Sequence, residues 1–179
     1  VAVDGQVFTS STQILAPAPL DSIIVEPAPI TRADTDSLVQ LTAYFSEPNP
    51  IGNYYRLLSK KNNDPLFDVA FNSIYDDAIV NGKAIQFTIA GGKSQFQNND
   101  TANFRQYGYF KKGDKVLVKW ASIDKAQYDF WKTFEAQSSS FGNPFSPTVI
   151  VKSTFKGAGC LGVWAGYGCT IDTIIIPKD

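Results

Sequence analysis

The sequence predicts a mainly β fold, a two-sheet antiparallel sandwich of immunoglobulin/fibronectin-like type with one principal helix near residues 124–137. Three observations carry this. Short runs of β-formers recur at near-regular spacing, separated by clusters of Pro, Gly, Asn and Asp. A single segment breaks that pattern with helical periodicity. The last third runs from Asn143-Pro-Phe-Ser-Pro147 through a strand-like run and residues 157–168 (GAGCLGVWAGYG) to residues 170–177 (TIDTIIIP). That closing run is nearly pure β-former, and the glycines before it let backbones approach closely while aromatics fill the space between. An open sheet with the helix on one face is the competing arrangement. Parallel α/β folds would need several crossover helices.

Residues 20–26 (LDSIIVE), framed by Pro17, Pro19, Pro27 and Pro29, read as the first strand. Residues 38–45 (LVQLTAYF) alternate apolar and polar before Glu47-Pro-Asn-Pro50, and residues 53–59 (NYYRLLS) follow. The tight Pro/Gly link predicts that these two runs are antiparallel neighbours. Residues 66–74, 84–90 and 115–121 continue the series, with Asn81-Gly82 a type I′ turn signal before the second of them. Residues 91–101 (GGKSQFQNNDT) are a polar surface loop. Residues 124–137 (DKAQYDFWKTFEAQ) lack Gly, Pro, Val and Ile, and place Gln127, Phe130, Trp131 and Phe134 on one face. Asp124 with Gln127 forms a capping-box pattern, and Ile123 with Tyr128 has the spacing of a hydrophobic staple.

The chain of 179 residues and 19.6 kDa fits one domain, 1–179, with residues 1–19 an extended lead-in from a preceding domain. Its 44% hydrophobic and 18% charged residues make a globular chain. A formal charge of -1 and no Lys/Arg run beyond Lys60-Lys61 and Lys111-Lys112 argue against a nucleic-acid partner. No apolar run has the roughly 18–20 residues needed to span a bilayer. The chain starts on Val1-Ala2-Val3 without a charged or hydrophobic leader, so any targeting signal would lie upstream, and its absence here says nothing about destination. With no histidine, Ser-His-Asp and Cys-His nucleophile pairs and imidazole zinc sites are excluded. No catalytic residue, metal site or cofactor is therefore expected.

Residues 113–131 (GDKVLVKWASIDKAQYDFW), Asn143-Pro-Phe-Ser-Pro147 and residues 159–167 (GCLGVWAGY) together resemble an uncharacterised family of Bacteroidota envelope lipoproteins, domain of unknown function 4249. Leu20-Asp-Ser-Ile23 and Gly52-Asn-Tyr-Tyr-Arg56 also match its pattern, so the resemblance covers most of residues 20–176. It implies the C-terminal domain of a lipoprotein in the cell envelope, on the outer membrane, often encoded near TonB-dependent transporters. Membrane attachment would then come only through a lipid anchor outside this chain. The family brings no established catalytic or binding residue.

In an oxidising envelope, Cys160 and Cys169 suggest a disulfide. On one continuous strand they would lie about 30 Å apart, so a bond requires the chain to reverse between them, which Gly162, Gly166 and Gly168 permit. Trp164 and Tyr167, with Tyr107 and Tyr109, are candidates for an aromatic platform binding a sugar ring or a partner protein, against the commoner use of aromatics in packing. Asp76-Asp77, the only adjacent acidic pair, raises glycosidase chemistry but reads as turn chemistry. Calcium through Asp76, Asp77 or Asn98-Asn-Asp100 lacks EF-hand spacing. Asn99-Asp-Thr101 matches a glycosylation pattern. The expected function is a non-catalytic module assisting capture of a glycan or small-molecule ligand, or assembly, next to an outer-membrane transporter. A structural or adhesive surface protein and a carboxylate-based carbohydrate-active enzyme are the alternatives.

Overall fold

The structure, a computed structural model, describes residues 2–3, 5–29, 37–69, 72–91, 108–140, 147–157 and 159–178. Over these the chain forms β1 (Ala2–Val3), β2 (Gln6–Val7), β3 (Ser22–Pro27), β4 (Leu38–Ser46), β5 (Tyr54–Lys61), β6 (Ile74–Asp76), β7 (Ala84–Ile89), β8 (Phe110–Lys111), β9 (Lys115–Ile123), α1 (Lys125–Ser140) and β10 (Gly168–Ile175). All pairings are antiparallel. The first sheet has the order β3-β4-β7, with β8 on the other half of the β4 edge that β7 occupies. The second runs β10-β9-β5-β6, and β1 and β2 pair separately. Two antiparallel sheets and one helix make the expected β-sandwich.

Period-two alternation sets the core. Val39, Leu41, Ala43 and Phe45 of β4 face Tyr55 and Leu57 of β5 and Val116, Val118 and Trp120 of β9 in one buried cluster. Trp120 is its hub: Tyr55 stacks on it at 4.9 Å, and Phe45 meets it edge-on at 5.4 Å. The intervening residues of β5 and β9 point to the outer face of the second sheet. There Ala121, Ile123 and Tyr128 form a second buried cluster, joined by Tyr54, Ile74, Tyr167 and Cys169. The helix lies on this outer face.

Asp124 caps α1 by accepting from Gln127 N at 2.9 Å. Ile123 and Tyr128 share the second cluster, as their staple spacing predicts. The capping box is only half used. The Gln127 amide, fully buried, donates instead to Thr12 Oγ1, to Asp124 Oδ2 and to Gly166 O. It ties three distant segments together.

Several strand expectations need correction. β4 and β5 do not pair but lie in opposite sheets. The link 47–53 turns a corner between layers, and Asn53 Nδ2 fills it, donating to Glu47 Oε1, Pro48 O and Pro50 O at 2.9–3.2 Å. Both edges of β4 are already occupied by β3 and by β7 with β8. Asn81-Gly82 is not a type I′ hairpin: φ is positive at Gly82 but not at Asn81, and the turn closes a helical one in which Asn81 N donates to Asp77 O. It leads from one sheet to the other. Of residues 66–74, Asp68 makes one isolated bridge to Ser59, and β6 begins only at Ile74.

The strand-like run after Pro147 is irregular over 147–153 and follows the helix. Val149 N donates to Gln137 Oε1 and Lys152 N to Thr133 Oγ1, so helix side chains take the place of a partner strand. Gly91 bridges Gly108, and the rest of the loop 92–101, with Asn98, Asp100 and Thr101, lies outside the described residues.

Residues 5–20 act as a strap. Thr9 pairs with Lys156, Ser10 Oγ donates to Thr154 O, and Thr12 Oγ1 and Gln13 N both donate to Asp124 Oδ2. Ala18 and Leu20 pack on the sandwich core.

Candidate functional site

The outer face of the second sheet gathers the groups most suited to recognition. Residue 56 alternates with Tyr55 and Leu57, so Arg56 points away from the sandwich core and under the helix. Its guanidinium carbon sits 3.4 Å from the centre of the Trp131 ring. Nη1 donates to the Tyr167 hydroxyl at 2.9 Å. Arg56 is 6% exposed, and such a desolvated cation–π contact contributes about 2 kcal/mol or more. Neither ion pair among the described residues includes it.

Lys119 lies on the same face, diagonal to Arg56: Arg56 is opposite Ala121, and Lys119 opposite Leu58. Its ammonium is 5.4 Å from the Tyr167 ring centre and 5.6 Å from that of Phe67. Two cations thus converge on one tyrosine, with Trp131 as the roof. The helix face carrying Trp131 was legible in the sequence. Arg56 as a site residue was missed, although strand alternation already put it on the face opposite the core residues Tyr55 and Leu57.

Of the expected aromatic platform, Tyr167 belongs to this cluster. Trp164 is 60% exposed, and its backbone N–H is held by Thr154 Oγ1 at 2.8 Å. In an extended run, positions 164 and 167 fall on opposite sides. Tyr109 is half-buried beside β8, in the other sheet. Tyr107 lies outside the described residues. The described members do not assemble into one platform.

The disulfide expectation is corrected: Cys160 and Cys169 are free thiols. The chain does reverse, but before Cys160 rather than after it. Thr154 N donates to Gly162 O, and Ser153 Oγ both donates to Gly162 O and accepts from Gly162 N. From Gly162 the chain runs on to β10, which carries Cys169 into the second cluster opposite Ala121.

The acidic pair is split by function. Asp77 is buried and accepts from Gly52 N and Asn53 N. Asp76 accepts from the Tyr128 hydroxyl and from Ala78 N. A different carboxylate, Glu47, is buried at the sheet-to-sheet corner and accepts from Tyr55 Oη at 2.9 Å and Asn53 Nδ2 at 3.0 Å. Burial pushes its pKa up, the two hydrogen bonds partly offset this, and the charge of Asp77 adds to it. Asn53 and Tyr55 also line a cleft of about 540 Å³ under the Pro-rich strap, with Leu15, Pro17, Tyr54 and Ser122. Among the described residues no group of three His, Cys, Asp or Glu is placed to hold a metal ion. No helix there is long and apolar enough to cross a membrane.

The Gly-rich track, the capped helix and the covered sheet of this chain carry the motifs that resemble a known family. The model described as Domain of unknown function (DUF4249) matches residues 2–165, and the chain belongs to that family. The match includes the strap, so residues 5–20 are part of the family's domain. Comparison with curated proteins and with solved structures returned no match.

Proposed function

We propose that this domain is a non-catalytic binding module of a cell-envelope lipoprotein, assisting ligand capture or assembly next to an outer-membrane transporter of TonB-dependent type. The observation that carries the reading is the Arg56–Trp131–Tyr167–Lys119 cluster. It supplies charge and ring faces on a rigid sheet and helix, which suits recognition, and contains no paired nucleophile and base. The envelope setting rests on the family resemblance. The test is a pull-down of the native lipoprotein from membranes, in which a transporter is expected to co-purify.

A structural or adhesive role has one observation in its favour. β10 is an eight-residue strand at the end of its sheet, and Ile171 and Ile175 on it are exposed. Such an edge can accept a partner strand. Oligomers formed by the isolated domain, and lost on placing proline at Thr173, would favour that reading. Carboxylate-based hydrolysis would rest on Glu47 beside the cleft. No turnover is expected on a panel of polysaccharides and glycosides, and turnover abolished by Glu47→Gln would overturn the non-enzyme proposal.

A further inference from the structure

Two hydrogen-bond donors in the Arg56–Trp131 stack have no acceptor. Arg56 Nε and Trp131 Nε1 are both buried and unpartnered, and they belong to side chains in direct ring-face contact. A buried donor left unsatisfied is destabilising, and more so when it is charged. Two of them in one contact mark a place where an acceptor belongs.

The charge balance points the same way. Arg56 and Lys119 meet at Tyr167, and among the described residues no carboxylate lies within ion-pair distance of either. The acidic groups of the adjoining helix and strand are engaged elsewhere. Glu135 accepts from Ser73 N and Oγ, Asp76 from Tyr128, and Asp129 pairs with Lys125 and Lys152. A neutral hydroxyl or a water would satisfy the N–H groups but leave the charge uncompensated. An oxyanion meets both needs, because its oxygens only accept and its charge opposes the two cations.

We propose that Arg56, Trp131 and Lys119 form a recognition site for the oxyanion group, carboxylate or phosphate, of a small ligand. One oxygen takes the Arg56 Nε–H, another takes the Trp131 indole N–H, and Lys119 supplies the second positive charge. This names the ligand class for the binding-module reading and rests on it.

Calorimetric titration of the purified domain with sodium acetate, sodium glucuronate and inorganic phosphate, at constant ionic strength set with sodium chloride, tests the site. Saturable binding of at least one of these anions is expected, with a matching rise in Tm. Carboxylates alone or phosphate alone would each support the site and identify the source of the oxyanion. Trp131→Phe keeps a ring over Arg56 but lacks the N–H, and should weaken binding about tenfold. Lys119→Gln should weaken it several-fold with the fold intact, and Arg56→Lys more than either. Absence of binding for all three anions would overturn the proposal. So would equal responses of the wild type and the two milder variants, which would show a bulk salt effect. Such a failure would leave transporter co-purification untouched, so the two readings fail separately.

Discussion

The carboxylate of Asp124 accepts from Gln127 N, Gln127 Nε2, Thr12 Oγ1 and Gln13 N, so one side chain both caps the helix and clamps the strap. Burial alone would raise its pKa, but these bonds outweigh burial and hold it below the usual carboxylate range. The stability it supplies is therefore complete above the ordinary value of 3.8 and lost as pH falls through the depressed folded value. Asp124→Ala should cost about 1–3 kcal/mol at neutral pH by denaturant unfolding. Asp124→Asn should keep the cap while flattening the acid limb of the stability profile. Glu47 has the opposite sign. Its folded pKa is raised, so its contribution falls as pH rises from the ordinary 4.5 through the folded value. Glu47→Gln, which still accepts from Tyr55, should raise Tm at pH 7 relative to the wild type. That difference should shrink toward zero near pH 4; an unchanged difference across this range would refute the assignment.

Among the elements, the Gly-rich track shows what was legible and what was not. A chain rich in glycine next to aromatics signals close backbone approach, and that is how it is used. A β-carbon at Gly168 would lie 1.7 Å from the Leu15 carbonyl oxygen, and one at Gly166 2.5 Å from the Ile14 side chain. The glycines were readable, but their partner was not: nothing local in residues 8–16 says that they cross a segment some 150 positions later. Gly168→Ala should release the strap or cost about 1–3 kcal/mol or more, read as faster limited proteolysis within residues 8–18 and a lowered Tm. The helix was legible from its cap, staple and aromatic face, because these are local signals. Sheet membership was not. The link 47–53 looked like a hairpin because Pro and Gly mark a turn without stating whether the chain stays in its layer. Trp131→Ala should cost about 2–3 kcal/mol, toward the low end for tryptophan because the ring is half-buried and packs on Arg56 rather than in the sandwich core.

At the scale of the whole molecule, two sheets close one core around Trp120, while Tyr128 of the helix, with Tyr167 and Cys169 of the Gly-rich end, packs on the back of the second sheet and Thr12 of the strap ties to the helix start. This asymmetry explains why the candidate site was only partly visible in the sequence. Tyr167 could be named from its motif, but Arg56 acquires its role only when the helix roofs its strand. Cys160 and Cys169 mislead for the same reason, since spacing says how far the chain travels and not where it turns. The family match covers residues 2–165, and the proposed role turns on what the domain binds. The most direct test is to purify the native protein from membranes under mild conditions and identify what accompanies it. The proposed role predicts that an outer-membrane transporter of TonB-dependent type accompanies it in stoichiometric amount. The protein recovered alone under conditions that preserve other envelope complexes would contradict it.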